Sequence, residues 1–191
     1  SSAELRSTLN SLNGEAARWP TDSEFLNACT TARLYPGRLD AQKIRSMLTE
    51  LEGELRRQVK TEEPVVPNLS SLDIDHLMPQ NWFSHWPLED GHIVTDSDAT
   101  AVNQIVLAGA ELTPEQQLVC KRQQAIATLG NLTLLNLSVN RSVQHSAFLR
   151  KRDGLITHTS LRLNIPLIVL DIWDENKIFS RGVLLGNAAI R

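Results

Sequence analysis

Apolar positions recur at helical spacing through the first third of the chain. Leu5, Leu9 and Leu12 share one face of a helix-permissive stretch from Ser2 to Trp19. Thr21-Asp22-Ser23-Glu24 has the form of a capping box, with Glu24 three residues after Thr21. The short helix expected to follow buries Phe25, Leu26 and Ala28. Asp40 is placed to cap a longer helix, in which Ile44, Met47, Leu48, Leu51, Leu55 and Val59 form one apolar stripe opposite charged positions. Thr61 to Leu69 contains two prolines and no helical period, and reads as a connector.

The pattern then changes. Leu72, Ile74 and Leu77 suggest a short extended segment stopped by Pro79, and residues 81–95, with Trp82, Trp86, Pro87 and Gly91, read as irregular. A helix is predicted over about 97–109. Another starts at Thr113-Pro114, where Pro takes the first helical position and Gln116 completes a capping box. Gly130 to Leu137 reads as a second strand, 140–152 as polar, basic and helix-compatible, Ile165 to Ile172 as an apolar run, and Asp174 to Ile190 as a closing helix. The expectation is one α+β domain over residues 1–191, mostly helical. It has a helical N-terminal part (1–60), a core at 70–152 interrupted by a helical insertion at about 81–127, and a closing part (153–191).

Composition narrows the class. At 191 residues and 41% hydrophobic, the chain can bury a real core. No apolar run approaches the ~18 residues of a membrane span, so no membrane partner is expected. Cys29 and Cys120 stand alone without a CxxC pair. That disfavours a zinc ribbon and fits a reducing cytoplasm. The polar, mixed-charge start lacks signal-peptide character and opens without Met, which reads as a piece of a longer protein. The net charge of −3 hides a split: residues 61–116 hold ten acidic and no basic side chains, residues 117–191 ten basic and four acidic. Nucleic-acid binding follows local positive potential rather than net charge. The acidic segment fits a metal-attracting face or a solvated surface equally.

The chemistry centres on Leu72-Asp73-Ile74-Asp75-His76-Leu77-Met78-Pro79-Gln80. An imidazole titrates near neutrality and suits a general base, and a carboxylate is a hard oxygen ligand suited to Mg²⁺. Adjacent strand residues face opposite sides, so the chain must bend for Asp75 and His76 to serve one site. Alone, an Asp-His dipeptide reads more readily as a structural histidine. It is followed, however, by Gly130-Asn131-Leu132-Thr133-Leu134, then Asn140-Arg141, then Phe148-Leu149-Arg150-Lys151-Arg152. A strand bearing Asp-His, a strand opened by Asn and a helix opened by Asn come in the order that a ββα-metal (HNH) core requires.

With Trp19-Pro20-Thr21-Asp22-Ser23-Glu24-Phe25, Leu48-Thr49-Glu50-Leu51-Glu52, Trp173-Asp174-Glu175 and Arg181, this ordered set extends over nearly the whole chain. The chain resembles the C-terminal HNH-type domain of the GmrSD family of modification-dependent restriction enzymes, and the matching domain of SspE-like proteins that guard phosphorothioate-modified DNA. The Asp73–Gln80 stretch is also similar to the HNH domain of RNA-guided CRISPR nucleases. The resemblance implies His76 as the general base, Asn131 orienting its imidazole, and Asp75 and Asn140 as ligands to Mg²⁺ or Mn²⁺. It implies Lys151, with Arg141, at substrate phosphate. Arg150 and Arg152 extend the same basic run as phosphate contacts. Many relatives carry Glu where this chain has Asp75, and Ser-Asn where it has Gln144-His145. His145 is a third ligand, a phosphate contact or a solvated helix residue.

The implied activity is metal-dependent nicking or cleavage of double-stranded DNA in a bacterial cytoplasm, in anti-phage restriction. A DNA-modification-sensing, nucleotide-hydrolysing domain of the same protein is expected N-terminal to this part, which itself has no GxxxxGK[ST] phosphate loop. A non-catalytic DNA-binding or regulatory module on the same fold, and a nuclease acting on RNA, are the alternatives. His85, His92 and His158 read as packed or surface histidines, and the four tryptophans as core or loop anchors.

Overall fold

The computed structural model describes residues 2–11, 19–59, 68–83, 85–136 and 147–190. The N-terminal helices follow the local signals. Helix α1 spans Ser2–Ser11 and α2 spans Asp22–Thr31, the latter opened by Thr21 in a complete capping box with Glu24. A tight turn over Leu34–Arg38, with a cis Tyr35–Pro36 peptide, leads to α3 (Ala41–Arg57), whose first turn is capped by Asp40. The α3 stripe buries Ile44, Leu48 and Leu51, each contributing about 2 kcal/mol on leaving water. The same face also buries Glu52. Its carboxylate accepts from Arg56 Nε at 2.6 Å and from the backbone N–H groups of Arg162 and Leu163 at 3.0 and 2.9 Å. That satisfies a charge otherwise costly to bury.

Two short strands form the centre. Strand β1 (Leu72–His76) pairs antiparallel with β2 (Leu132–Asn136), in the register Ile74↔Leu134, Asp75↔Thr133 and His76↔Leu132. Between them run α4 (Asp96–Leu107) and α5 (Pro114–Ile126). Each opens with a capping box, Thr95 with Asp98 and Thr113 with Gln116. After β2 come α6 (Phe148–His158) and α7 (Glu175–Ile190). The architecture is α+β and mostly helical, as expected. The apolar run 165–172 forms only a short 3-10 turn at Ile165–Leu167 and irregular chain, and Leu129–Asn131 is a 3-10 turn that precedes β2 rather than part of it.

The sheet separates two hydrophobic clusters. One joins Leu132 and Leu134 to Ile44, Leu48, Leu51, Leu163 and Leu185, with Leu72, Ile74 and Tyr35 packed against it. The other joins Leu135 to Met78, Trp82, Trp86, Phe148, Leu155 and Trp173. Strand alternation assigns the faces: Leu72, Ile74 and His76 look into the first cluster with Leu132 and Leu134, whereas Asp75 looks toward the second with Thr133 and Leu135. Asp73, part-exposed, reaches Arg45 of α3 at 3.6 Å.

Candidate active site

His76 ends β1 and is partly buried. Its Nε2 lies 3.0 Å from the carbonyl oxygen of Tyr35, and the two rings stack at 5.7 Å between centroids with planes 17° apart. A carbonyl only accepts, so Nε2 carries the proton and Nδ1 is the basic nitrogen. Nδ1 has no partner among the described residues. The Gln80 amide nitrogen, 3.4 Å from the same Nε2, can only donate, so it makes no hydrogen bond to Nε2–H; the shorter Tyr35 contact sets the tautomer. Burial lowers the His76 pKa below its ordinary value, against the opposing pull of the Tyr35 carbonyl and the Asp75 charge, and the nearby Lys151 lowers it further. The imidazole is therefore neutral, as a base must be, at and somewhat below neutral pH.

Tyr35 was not among the sequence candidates. It is the chain's single tyrosine, in a Tyr-Pro-Gly turn that reads locally as punctuation. Nothing periodic links it to a histidine 41 residues away.

Asn131 takes a different place from the one expected. Its Oδ1 accepts from Met78 N at 2.8 Å and from Trp173 Nε1 at 3.1 Å. Its Nδ2 donates to the Met78 and Ile126 carbonyls at 2.8 and 3.0 Å. Its carbonyl accepts from Leu77 N at 2.9 Å. Both side-chain lone-pair sites and both N–H bonds are thus used, and none reaches the imidazole. Asn131 instead staples the backbone just beyond His76 onto α5 and Trp173. The orienting role expected of it at the imidazole falls to the Tyr35 carbonyl.

Gly130 and Arg181 complete this frame. A Cβ on Gly130 would lie 1.9 Å from the Ile178 carbonyl oxygen of α7, so only glycine admits the close approach. Arg181, on α7, donates to the carbonyls of Gly130, Leu132 and Leu163 at 2.7, 2.8 and 3.2 Å. Burial pulls its pKa down to about 9.

Asp75 points away from the His76 ring, to the opposite face of the sheet. Its Oδ2 is 3.0 Å from Lys151 Nζ, which also donates to the His76 carbonyl at 2.7 Å. The bend that would bring Asp75 and His76 to one site is not made: both are regular strand residues in continuous register. Lys151 is 1% exposed, so it does not present its ammonium to a phosphate on the surface. Arg152 donates to the Leu170 carbonyl at 3.2 Å and to Asp171 at 2.6 Å, tying α6 to that loop. Of the basic run, Arg150 alone is exposed and without a side-chain partner among the described residues. Asn140, Arg141 and His145 lie outside the described residues.

Among the described residues no group of three or more His, Cys, Asp or Glu is placed to hold a metal ion, and the one candidate carboxylate already has a cationic partner. The donors in view do not fit a divalent-cation centre. No helix among the described residues is long and apolar enough to cross a membrane.

A family model for the C-terminal domain of GmrSD restriction endonucleases matches residues 19–188. No curated protein and no solved structure gives a significant match.

Proposed function

Because the chain belongs to the C-terminal domain family of the GmrSD restriction endonucleases, we propose that it hydrolyses DNA phosphodiesters with His76 as general base on an HNH-type β1–β2–α6 core. The observation that carries this reading is the Tyr35 carbonyl on His76 Nε2. It leaves Nδ1 as the acceptor for a proton from water. Once that proton is taken, the imidazolium keeps its Nε2–H bond to a full carbonyl dipole, which stabilises the charge as it forms. A positioned base of this kind contributes about 10²- to 10⁴-fold in rate.

A Mg²⁺ or Mn²⁺ requirement, which the family resemblance implies, belongs to the same proposal. So do double-stranded DNA as substrate, a bacterial cytoplasmic setting, and target choice by a sensing domain for modified DNA, including phosphorothioated DNA, elsewhere in the same protein. One active site cuts one strand at a time, so a monomer of the domain nicks.

The test is a supercoiled-plasmid assay of the wild-type chain and His76→Ala, each with Mg²⁺, Mn²⁺ or EDTA, beside a matched RNA duplex. The expected result is open-circle product from the wild type only, suppressed by EDTA, with the RNA intact. Equal behaviour of the two proteins, with retained DNA binding, would instead identify a non-catalytic module on this fold. Cleavage of the RNA duplex alone would identify a ribonuclease.

A further inference from the structure

Asp75 and Lys151 are both buried, at 7% and 1% exposure, and their only described side-chain ion partners are each other. Lys151 cannot easily leave. Phe148, Lys151 and Leu155 form one i, i+3, i+7 stripe of α6, and Phe148 and Leu155 lie inside the aromatic cluster on that side of the sheet. Turning the ammonium outward to a DNA phosphate would strand the Asp75 carboxylate in a closed site, and removing one partner of a buried pair is strongly destabilising. Asp75 is equally committed. A divalent cation on its carboxylate would sit beside the Lys151 ammonium, where like charges repel with little screening. It would also lie across the sheet from the His76 ring.

We infer that Asp75 and Lys151 are a fixed counter-ion pair that positions the strand carrying His76, rather than a metal ligand and a phosphate contact. The link to His76 is direct. The same Nζ that meets Asp75 holds the His76 carbonyl at 2.7 Å, so α6 fixes the backbone of the base from one face of the sheet while Tyr35 fixes its ring from the other. Both are positioning residues, acting through His76.

The test is a thermal double-mutant cycle on the full chain with Asp75→Asn, Lys151→Met and the double variant. Each single is expected to lower the melting temperature by about 10 °C, and the double by clearly less than the two together. If neither single yields folded protein, recovery of a melting transition in the double supports the pair, and failure to recover one overturns it. In Lys151→Met the imidazole NMR signals of His76 shift while those of His158 stay, and kcat falls with KM unchanged. DNA affinity and its salt dependence stay at wild-type values. Mn²⁺ binding read by electron paramagnetic resonance is the same for Asp75→Asn as for wild type.

Two results would overturn the inference: an Asp75→Asn protein of unchanged melting temperature that has lost Mn²⁺ binding, or a Lys151→Met protein of unchanged melting temperature whose salt slope has fallen by about one. The kinetic arm rests on the reading of His76 as base. The thermal and NMR arms do not, so failure of the pair and failure of the nuclease reading are told apart.

Discussion

The imidazole of His76 and the phenol ring of Tyr35 lie stacked with planes 17° apart, while the Tyr35 carbonyl holds His76 Nε2 at 3.0 Å. One residue thus supplies two restraints on the candidate base: the ring fixes its plane and the backbone fixes its tautomer. The ring is the part a substitution can remove. Tyr35→Phe keeps the stack, and the Tyr35 hydroxyl has no partner among the described residues, so near-wild-type nicking is expected. Tyr35→Ala removes the wall against which the imidazole rests and lets it swing from the attacking position. A misplacement of that order costs about 10- to 100-fold in kcat. Steady-state nicking by the three proteins checks both halves. Equal losses in Phe and Ala would show that the ring face is not what matters.

The lowered pKa of His76 carries a sign that can be worked through. The unfolded imidazole titrates near the ordinary 6.5 and the folded one below it, chiefly because burial disfavours the cation. Between those two values the unfolded chain binds more protons than the folded one. The group's contribution to stability is therefore whole above pH 6.5 and is lost as pH falls from there through the folded pKa. Activity follows the same neutral form, so the acid limb of kcat/KM for nicking lies below pH 6.5. A pH–rate profile with its acid limb at or above that value would contradict the burial seen here.

Much of the scaffold was legible because its signals are local. Capping boxes at Thr21 and Thr113, the Asp40 cap and the stripe from Ile44 to Leu55 each depend on residues within a few turns of one another. The Thr95–Asp98 box has the same form but lay next to a stretch read as irregular. The site was less legible because charge alone does not say which way a side chain points. Arg150-Lys151-Arg152 reads as a basic surface. Yet helical periodicity already puts Lys151 on the face of Phe148 and Leu155, and the same arithmetic at the strand puts Asp75 and His76 on opposite sides. What no local pattern supplies is the partner: Tyr35 for His76, Lys151 for Asp75 and Trp173 for Asn131 all come from distant sequence.

The three cations at 150–152 should separate in DNA binding. Arg150 is exposed, whereas Arg152 is drawn onto Asp171 and the Leu170 carbonyl. Arg150→Ala is expected to weaken duplex binding and to reduce the slope of log affinity against log salt by about one, the signature of a lost phosphate contact. Arg152→Ala should leave that slope unchanged. Its Asp171 partner is 85% exposed on the side chain, so stability should fall only slightly, mostly through the loosened 170–171 loop. Fluorescence-anisotropy titrations over a range of salt concentrations measure both. A lost slope in Arg152→Ala would mean that its bond to Asp171 opens to accept DNA.

Gly130 is where a single methyl group does the most damage. Its Cβ would lie 1.9 Å from the Ile178 carbonyl oxygen and 2.9 Å from the Gly182 nitrogen, both backbone atoms of α7. Helix α7 has little freedom to retreat, because Arg181 ties it to the carbonyls of Gly130 and Leu132 on the strand side. Retreat would also pull Asn131 away from Met78, releasing the backbone beyond His76. Gly130→Ala is therefore expected to cost about 3 kcal/mol or more, and to reduce nicking even where the protein still folds. Gly186→Ala is the control on the same helix. Its Cβ would come 2.8 Å from Leu26 Cδ2, the far end of a flexible side chain that can turn aside. A cost of about 1 kcal/mol with normal nicking is expected there. Chemical denaturation of the two variants side by side measures the difference. Similar midpoints would mean that α7 slides along the strand more freely than the Arg181 bonds allow.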